Sequence, residues 1–492
     1  MKTIVICMAA SLLLSAQAPP PAAPPRERQF KETVFFPPAA HPEWPLAAGD
    51  KAYAAINGEH LLGYVKELTD LAERDHTKSG QFWGRITGTA ADAETAQWMM
   101  DQLRKIGVSD VQSQALELPA QWTPVSWEVT AEAIASAGDK TIKLDTAEPM
   151  VRSPGFANNA TKDLEAIYVG LGTEADFIGR GVKGKAVFIE SVALPGAWQH
   201  SASIYDAPRR AEQKGAAAVF IVIELPGNYR TVVPGNTTTI PAFTIGSQDG
   251  AAVRGLIEHA APGQSPHIKV RADIRMEEGH KTSLIWGVIP GMTDEKIIIN
   301  AHRDGYFQAA GDNATGMATA LGLAEYFVKI PKSQRRRTIV IVGNPGHHNT
   351  AVGSQWMVAH KDTFFAKTAL IINCEHTSQV AADLYGYKIV ATNMPSNYDW
   401  FVYGSARFKS IVTTDSDRFG VSRYVEPTER ANGDMGSFSQ FGPSFQIIQA
   451  TPFYHSDHDT LQTIPPSGLA SVTRSFAKII DDVNRLDLKD LQ

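Results

Sequence analysis

Four short segments of the chain concentrate imidazole and carboxylate side chains, the donors that hold divalent metals. They are Ala301-His302-Arg303-Asp304, Gly311-Asp312-Asn313-Ala314-Thr315-Gly316, Asn373-Cys374-Glu375-His376 and Tyr454-His455-Ser456-Asp457-His458-Asp459-Thr460. Such ligands, drawn from several places with one position left for water, are what a hydrolytic zinc site requires. Taken singly, each has a plainer reading: a surface histidine, or Asp312 as the cap of a helix. Their order along the chain makes the joint reading the stronger one.

The elements around these segments place them together. Apolar runs at 296–300, 338–342 and 368–372 read as buried strands. Residues 314–328 read as a helix with Met317, Leu321, Ala324 and Val328 on one face, and 469–483 as a closing amphipathic helix. A further helix over 90–106 is capped by Thr89, with Asp92 three residues on, and ended by Gly107. Alternating strands and helices predict an α/β fold with a largely parallel sheet and helices on both faces. Ligands gather at the carboxyl ends of such strands, here the positions just after 300, 343 and 372.

From about 121 to 279 the texture changes to short β-rich runs with many turns. Ile167-Tyr168-Val169-Gly170, the Lys183-Gly184-Lys185 run, Gly215-Ala216 before another strand, and Ile240-Pro241-Ala242-Phe243 ahead of Asp249-Gly250 follow in order. That order resembles the protease-associated domain, an insert that controls access or contacts partners.

Composition narrows the function further. The 492 residues carry a formal net charge of −6, and no basic block is longer than Arg335-Arg336-Arg337. A nucleic-acid or anionic-membrane surface is therefore not indicated, and the short basic run reads as a solvated strand entrance. Residues 1–18 read as a signal peptide: Lys2, an apolar run from Ile4 to Leu14 too short to span a bilayer, and Ala16-Gln17-Ala18. A Pro-rich tether follows over 19–46. The exported chain keeps one of its two cysteines, Cys374, so it has no internal disulfide.

In order, the four segments resemble the zinc exopeptidase family (peptidase clan MH) that includes bacterial leucyl aminopeptidases, glutamate carboxypeptidase II and, as a non-enzyme, the transferrin receptor. The family pattern is His-x-Asp, Asp-Asn-Ala-Ser-Gly, Glu-Glu-x-Gly-Leu-x-Gly-Ser, Asn-x-Asp, then Tyr-His with Asp-Thr. The resemblance covers 47–120 and 280–492, with the protease-associated insert at 121–279 between them. It implies a mixed, largely parallel sheet flanked by helices, divalent metal (zinc in the family) at one or two sites, and a peptide or aminoacyl substrate. His302, Asp312 and His455 are implied as metal ligands, with Asp312 bridging. Asp304 supports His302, Asp459 orients the loop bearing His455, and Tyr454 stabilises the oxyanion.

Two positions depart from the pattern. Gly353-Ser354 ends the third motif, and counting back at the family spacing puts His347 and His348 where the two glutamates stand. The chain's Glu277-Glu278 pair precedes His302 and reads as a solvated strand end. Glu375 stands for the family's terminal aspartate. The implied ligand set is thus His302, Asp312, His348, Glu375 and His455, with His347 as the catalytic base in place of glutamate. Beside two dications, the imidazolium form of His347 is expected to be disfavoured. The resulting function is an exported metallo-exopeptidase, aminopeptidase-like; the alternative is a silent binding protein on the same scaffold.

Overall fold

The apolar runs become the strands of a seven-stranded central sheet in the computed structural model. The structure describes residues 34–35, 42–133, 140–192, 201–204, 206–233, 238–385, 388–396, 398–422, 431–449 and 451–492. The signal peptide over 1–18 lies outside them, as does most of the tether over 19–46. Within that tether, Val34 and Phe35 pair in parallel with Ile389 and Val390, so the segment carries a strand there.

The strands are β1 (Asp110–Glu117), β2 (Lys281–Ile289), β3 (Lys296–His302), β4 (Thr338–Asn344), β5 (Thr368–Cys374), β6 (Asp399–Tyr403) and β7 (Ser444–Ile448). Their order across the sheet is β6-β7-β5-β3-β4-β2-β1. The central four, β7, β5, β3 and β4, run parallel, and the flanking pairings are antiparallel. The fold is therefore mixed α/β with a parallel centre.

Period-two alternation explains why the central strands are apolar throughout. Ile297, Ile299 and Ala301 of β3 join one core, and Ile298 joins the core on the opposite face. Each fully buried isoleucine contributes about 1.5–3 kcal/mol relative to exposure. Helices α1 (Gly58–Ser79), α2 (Ala90–Ile106), α3 (Thr315–Val328) and α4 (Pro466–Val483) cover the first face. Helices Val352–Ala359 and Met435–Phe438 cover the second. The Thr89 hydroxyl accepts from the Asp92 amide at the start of α2, and Gly107 ends it at φ 103°. Helix α4 begins at Pro466, ahead of the expected 469, because proline at the first helical turn brings its own fixed φ.

A second sheet of eight strands is drawn from the stretch Gln121–Ala133 to His267–Glu277. It has its own core, in which Phe188, Phe220 and Phe243 stack at centroid distances of 4.8 and 5.3 Å. The stretch leaves after β1 and returns at β2, and Glu117 pairs with Lys281 across those two strands. Departure and return are thus side by side, which leaves the central sheet intact.

The basic run differs from its expected solvated role. Arg335 and Arg337 are buried. Arg335 donates to the carbonyls of Phe327 and Ile330 at the end of α3, and Arg337 to those of Val483 and Leu486 at the end of α4. Helix ends leave carbonyls unpaired, and guanidinium groups satisfy them and oppose the dipole. No described helix is long and apolar enough to cross a membrane.

Candidate metal centre

The ends of β3 and β5 and three loops converge on one carboxylate. His302 closes β3, Glu375 and His376 follow β5, and Asp312 lies in the turn Ala310–Ala314 that leads into α3. Asp312 Oδ1 lies 3.2 Å from His302 Nε2 and 3.1 Å from His376 Nε2. Its Oδ2 lies 3.2 Å from His348 Nε2 and 3.0 Å from His455 Nε2. Each oxygen of one buried carboxylate thus faces two imidazoles.

The outer nitrogens fix what the inner ones present. His302 Nδ1 is 3.1 Å from the Asp304 carbonyl, and His348 Nδ1 is 3.2 Å from Asp304 Oδ2. A carbonyl or carboxylate oxygen only accepts, so each Nδ1 carries the proton and a neutral ring turns an Nε2 lone pair inward. His302 Nε2, His455 Nε2 and Asp312 Oδ1 have no hydrogen-bond partner among the described residues. Lone pairs held this close repel one another unless positive charge lies between them. Protons supply it in one state, and a divalent cation fits the same donors in another. Ligand atoms of Asp312, His348 and His455 lie within 4.8 Å of one another, the reach of a single ion.

Electrostatics without a cation follow from this arrangement. Burial would raise the Asp312 carboxyl, but His376 and His348 lead the imidazoles in holding it well below the usual carboxylate range. Burial opposes charge on His348, yet Asp312 and Asp304 push it up to about 9. Burial prevails at His455 and pulls it down to about 4 despite Asp312.

His347 lies beside this group and does not face Asp312. Its ring stacks on His302 at 3.9 Å, its Nδ1 is 3.1 Å from Asp434 Oδ1, and its Nε2 is 3.6 Å from Glu375 Oε1. Burial disfavours its charge, but Glu375 and Asp434 outweigh burial and hold it well above the usual imidazole range. The fall expected from sequence concerns the ring beside bound dications; without metal, Glu375 and Asp434 set the direction. A polar floor beneath the cluster fixes Asp434: Asn344 and Asn300 donate to its Oδ2 at 2.6 and 3.2 Å.

The remaining expected residues are also present. Asp304 contacts both His302 and His348. The Asp459 carboxylate accepts from the amides of Gly311 and Asp312 at 2.7 and 3.0 Å, tying the His455 loop to the Asp312 turn. Burial pushes it up to about 6 against those two donors. Tyr454 stacks on His455 at 3.6 Å, and burial with Asp312 and Glu375 keeps its hydroxyl protonated. Sequence reasoning passed over His376 as a participant and over the pairing of Asp434 with His347.

A cleft of about 330 Å³ opens beside the cluster, lined by Phe82, Trp122, Val151, Arg152, Tyr306 and His348 among others. Trp122, Val151 and Arg152 come from the stretch that builds the second sheet.

A parallel-centred α/β sheet with metal-type donors at its carboxyl edge defines a class, and solved structures share the fold. A Peptidase M28 precursor from Shewanella amazonensis SB2B superposes with a TM-score of 0.66 at 16% identity, covering 90% of this chain and 100% of that one. A zinc aminopeptidase from Bacillus subtilis gives 0.62 at 17% over 89% and 98%. An aminopeptidase from Aneurinibacillus sp. strain AM-1 gives 0.56 at 20% over 88% and 95%. Residues 285–480 match the model of peptidase family M28. Leucine aminopeptidase 2 of Arthroderma otae is 25% identical over 283 residues, 56% of this chain; the chain spans about half the length of that relative, 50%.

Proposed function

We propose that the chain is a metal-dependent hydrolase of peptide or amide bonds, an exopeptidase of the aminopeptidase kind, in which His347 and His348 stand where relatives carry two glutamates. The convergence of four imidazole Nε2 atoms on the one buried carboxylate of Asp312 carries this reading. His302, Asp312, His348, Glu375 and His455 would hold divalent metal, zinc by analogy with the fold's relatives. Bound there, it supplies Lewis acidity toward water and a scissile carbonyl.

The chain's own groups do the rest. Asp434 accepts from His347 Nδ1 and so leaves the neutral ring's Nε2 free to take a proton from water and return it to the leaving amine. The protonated Tyr454 hydroxyl would donate to the developing oxyanion. The walls formed by Phe82, Trp122 and Val151 suit an apolar substrate side chain. The inserted sheet, read as a protease-associated domain, would then share in substrate selection.

A silent binding protein is the second reading, favoured by the lack of a glutamate at 347, where a histidine stands instead. Incubation of the zinc-loaded protein with unblocked peptides of varied N-terminal residue separates the two. The expected outcome is stepwise release of N-terminal residues, abolished by chelator and lowered at least ~10²-fold by Asp312→Asn. Full zinc loading without hydrolysis of any peptide would leave only the binding reading.

A further inference from the structure

We infer that His376 is a metal ligand, closing with His302 and Glu375 a nitrogen-rich position on the Oδ1 side of Asp312. The inference rests on the metal-centre reading above and extends it to a residue outside the expected ligand set. His376 Nδ1 lies 2.9 Å from the carbonyl oxygen of Gln449. That oxygen only accepts, so the proton sits on Nδ1 and the neutral ring directs its Nε2 lone pair inward. There Nε2 stands 3.1 Å from Asp312 Oδ1. Neither atom has a hydrogen-bond partner among the described residues, and His376 is 4% exposed. A buried imidazole with its outer N–H donated to a backbone carbonyl and its inner nitrogen unpaired is how a metal-ligating histidine is held.

Ligand atoms of His302, Glu375 and His376 lie within 4.8 Å of one another. His376 on Oδ1 also answers His455 on Oδ2, so that the carboxylate of Asp312 meets two imidazoles on each side. Backbone contacts hold the residue in place: its amide donates to Asn313 Oδ1 at 3.1 Å. Four imidazoles against two carboxylates make a donor set that favours zinc, cobalt or nickel over magnesium, manganese or calcium.

Zinc binding to the purified full chain, read by competition with a chromophoric chelator and by metal content, tests this. His376→Ala should lose one zinc equivalent or weaken one site by at least about 100-fold, beyond the 10–100-fold typical of an outer partner. The absorption spectrum of the cobalt-substituted protein should change with it. His376→Gln, which keeps a donor for the Gln449 carbonyl, should show the same loss and replaces the alanine variant if that one does not fold. Zinc stoichiometry and affinity within about threefold of the native chain in either folded variant would overturn the assignment while leaving the metal centre standing, provided Asp312→Asn still abolishes binding. A native chain that binds no zinc would overturn both.

Discussion

His347 shows how one side chain can be read two ways until its neighbours are known. Its ring is held by stacking on His302 and by Asp434, which burial would raise but which His347 and Asn344 hold down to about 2. An ionised Asp434 fixes the Nδ1–H tautomer and stabilises the imidazolium, so it raises the pH at which Nε2 becomes free to act as a base. His347→Ala should lower turnover by ~10²–10⁴, the usual contribution of a positioned base. Asp434→Asn should lower maximal turnover by less and move the acid limb of the pH–rate profile to lower pH, because the interaction favouring the protonated ring is gone. A profile recorded from pH 5 to 9 for native and Asp434→Asn proteins checks this; an unmoved acid limb with unchanged turnover would remove Asp434 from the pathway of proton transfer.

At the scale of elements, the sequence discloses the strands and their ends because buried parallel strands are apolar on both faces and ligands cluster at their carboxyl edges. It hides whatever depends on chain reversal. Strand periodicity would put His376 on the side opposite Glu375; the backbone instead turns at His376, with φ 45°, and both side chains reach the cluster. Asp434 lies in a loop far along the chain, and nothing in its neighbours announces a partner at 347. Arg335 and Arg337 look solvated until two helix ends arrive with unpaired carbonyls. The inserted sheet hides a similar long-range contact. Its segment at 230–232 lies against the His455 loop: the Val232 amide donates to the His455 carbonyl at 2.9 Å, and the Asp457 amide to that of Arg230 at 3.1 Å. Arg230 is itself held by Glu148 and by the Gln81 carbonyl. Val232→Pro removes that first donor, whereas Val232→Ala keeps it. The proline variant should bind zinc about 10–100-fold more weakly than the alanine variant in chelator competition, the range for losing an outer support of a ligand. Equal affinities would mean that the insert does not hold the ligand loop in position.

For the whole molecule, the same cluster must be stable in two charge states. Without metal, imidazolium protons offset the carboxylates; with metal, those protons must leave, because a ligating imidazole is neutral. His348 sets the direction. Its folded-state value, pushed up to about 9 by Asp312 and Asp304 against burial, exceeds an unfolded value near 6.5. Its protonation therefore stabilises the metal-free fold fully below about pH 6.5, and that contribution is lost as pH rises through about 9, on the order of 3 kcal/mol at ~1.4 kcal/mol per unit. Zinc bound at the centre would follow the opposite slope. Below the folded value it must displace the His348 proton, so its apparent affinity, and the stabilisation it adds by mass action, rise over the same interval. Thermal melts with excess chelator should thus fall by a few degrees between pH 6.5 and 9, while the increment on adding zinc grows. Both trends include the His348 proton, alongside those of His347 and His376, which are also held above the usual imidazole range, and should change together. In His348→Gln, which cannot carry the charge, the chelated melting temperature should fall less over that window than in the native protein. A chelated native protein whose melting temperature is constant or rises between pH 6.5 and 9 would show that the imidazolium of His348 is not what holds the metal-free centre together.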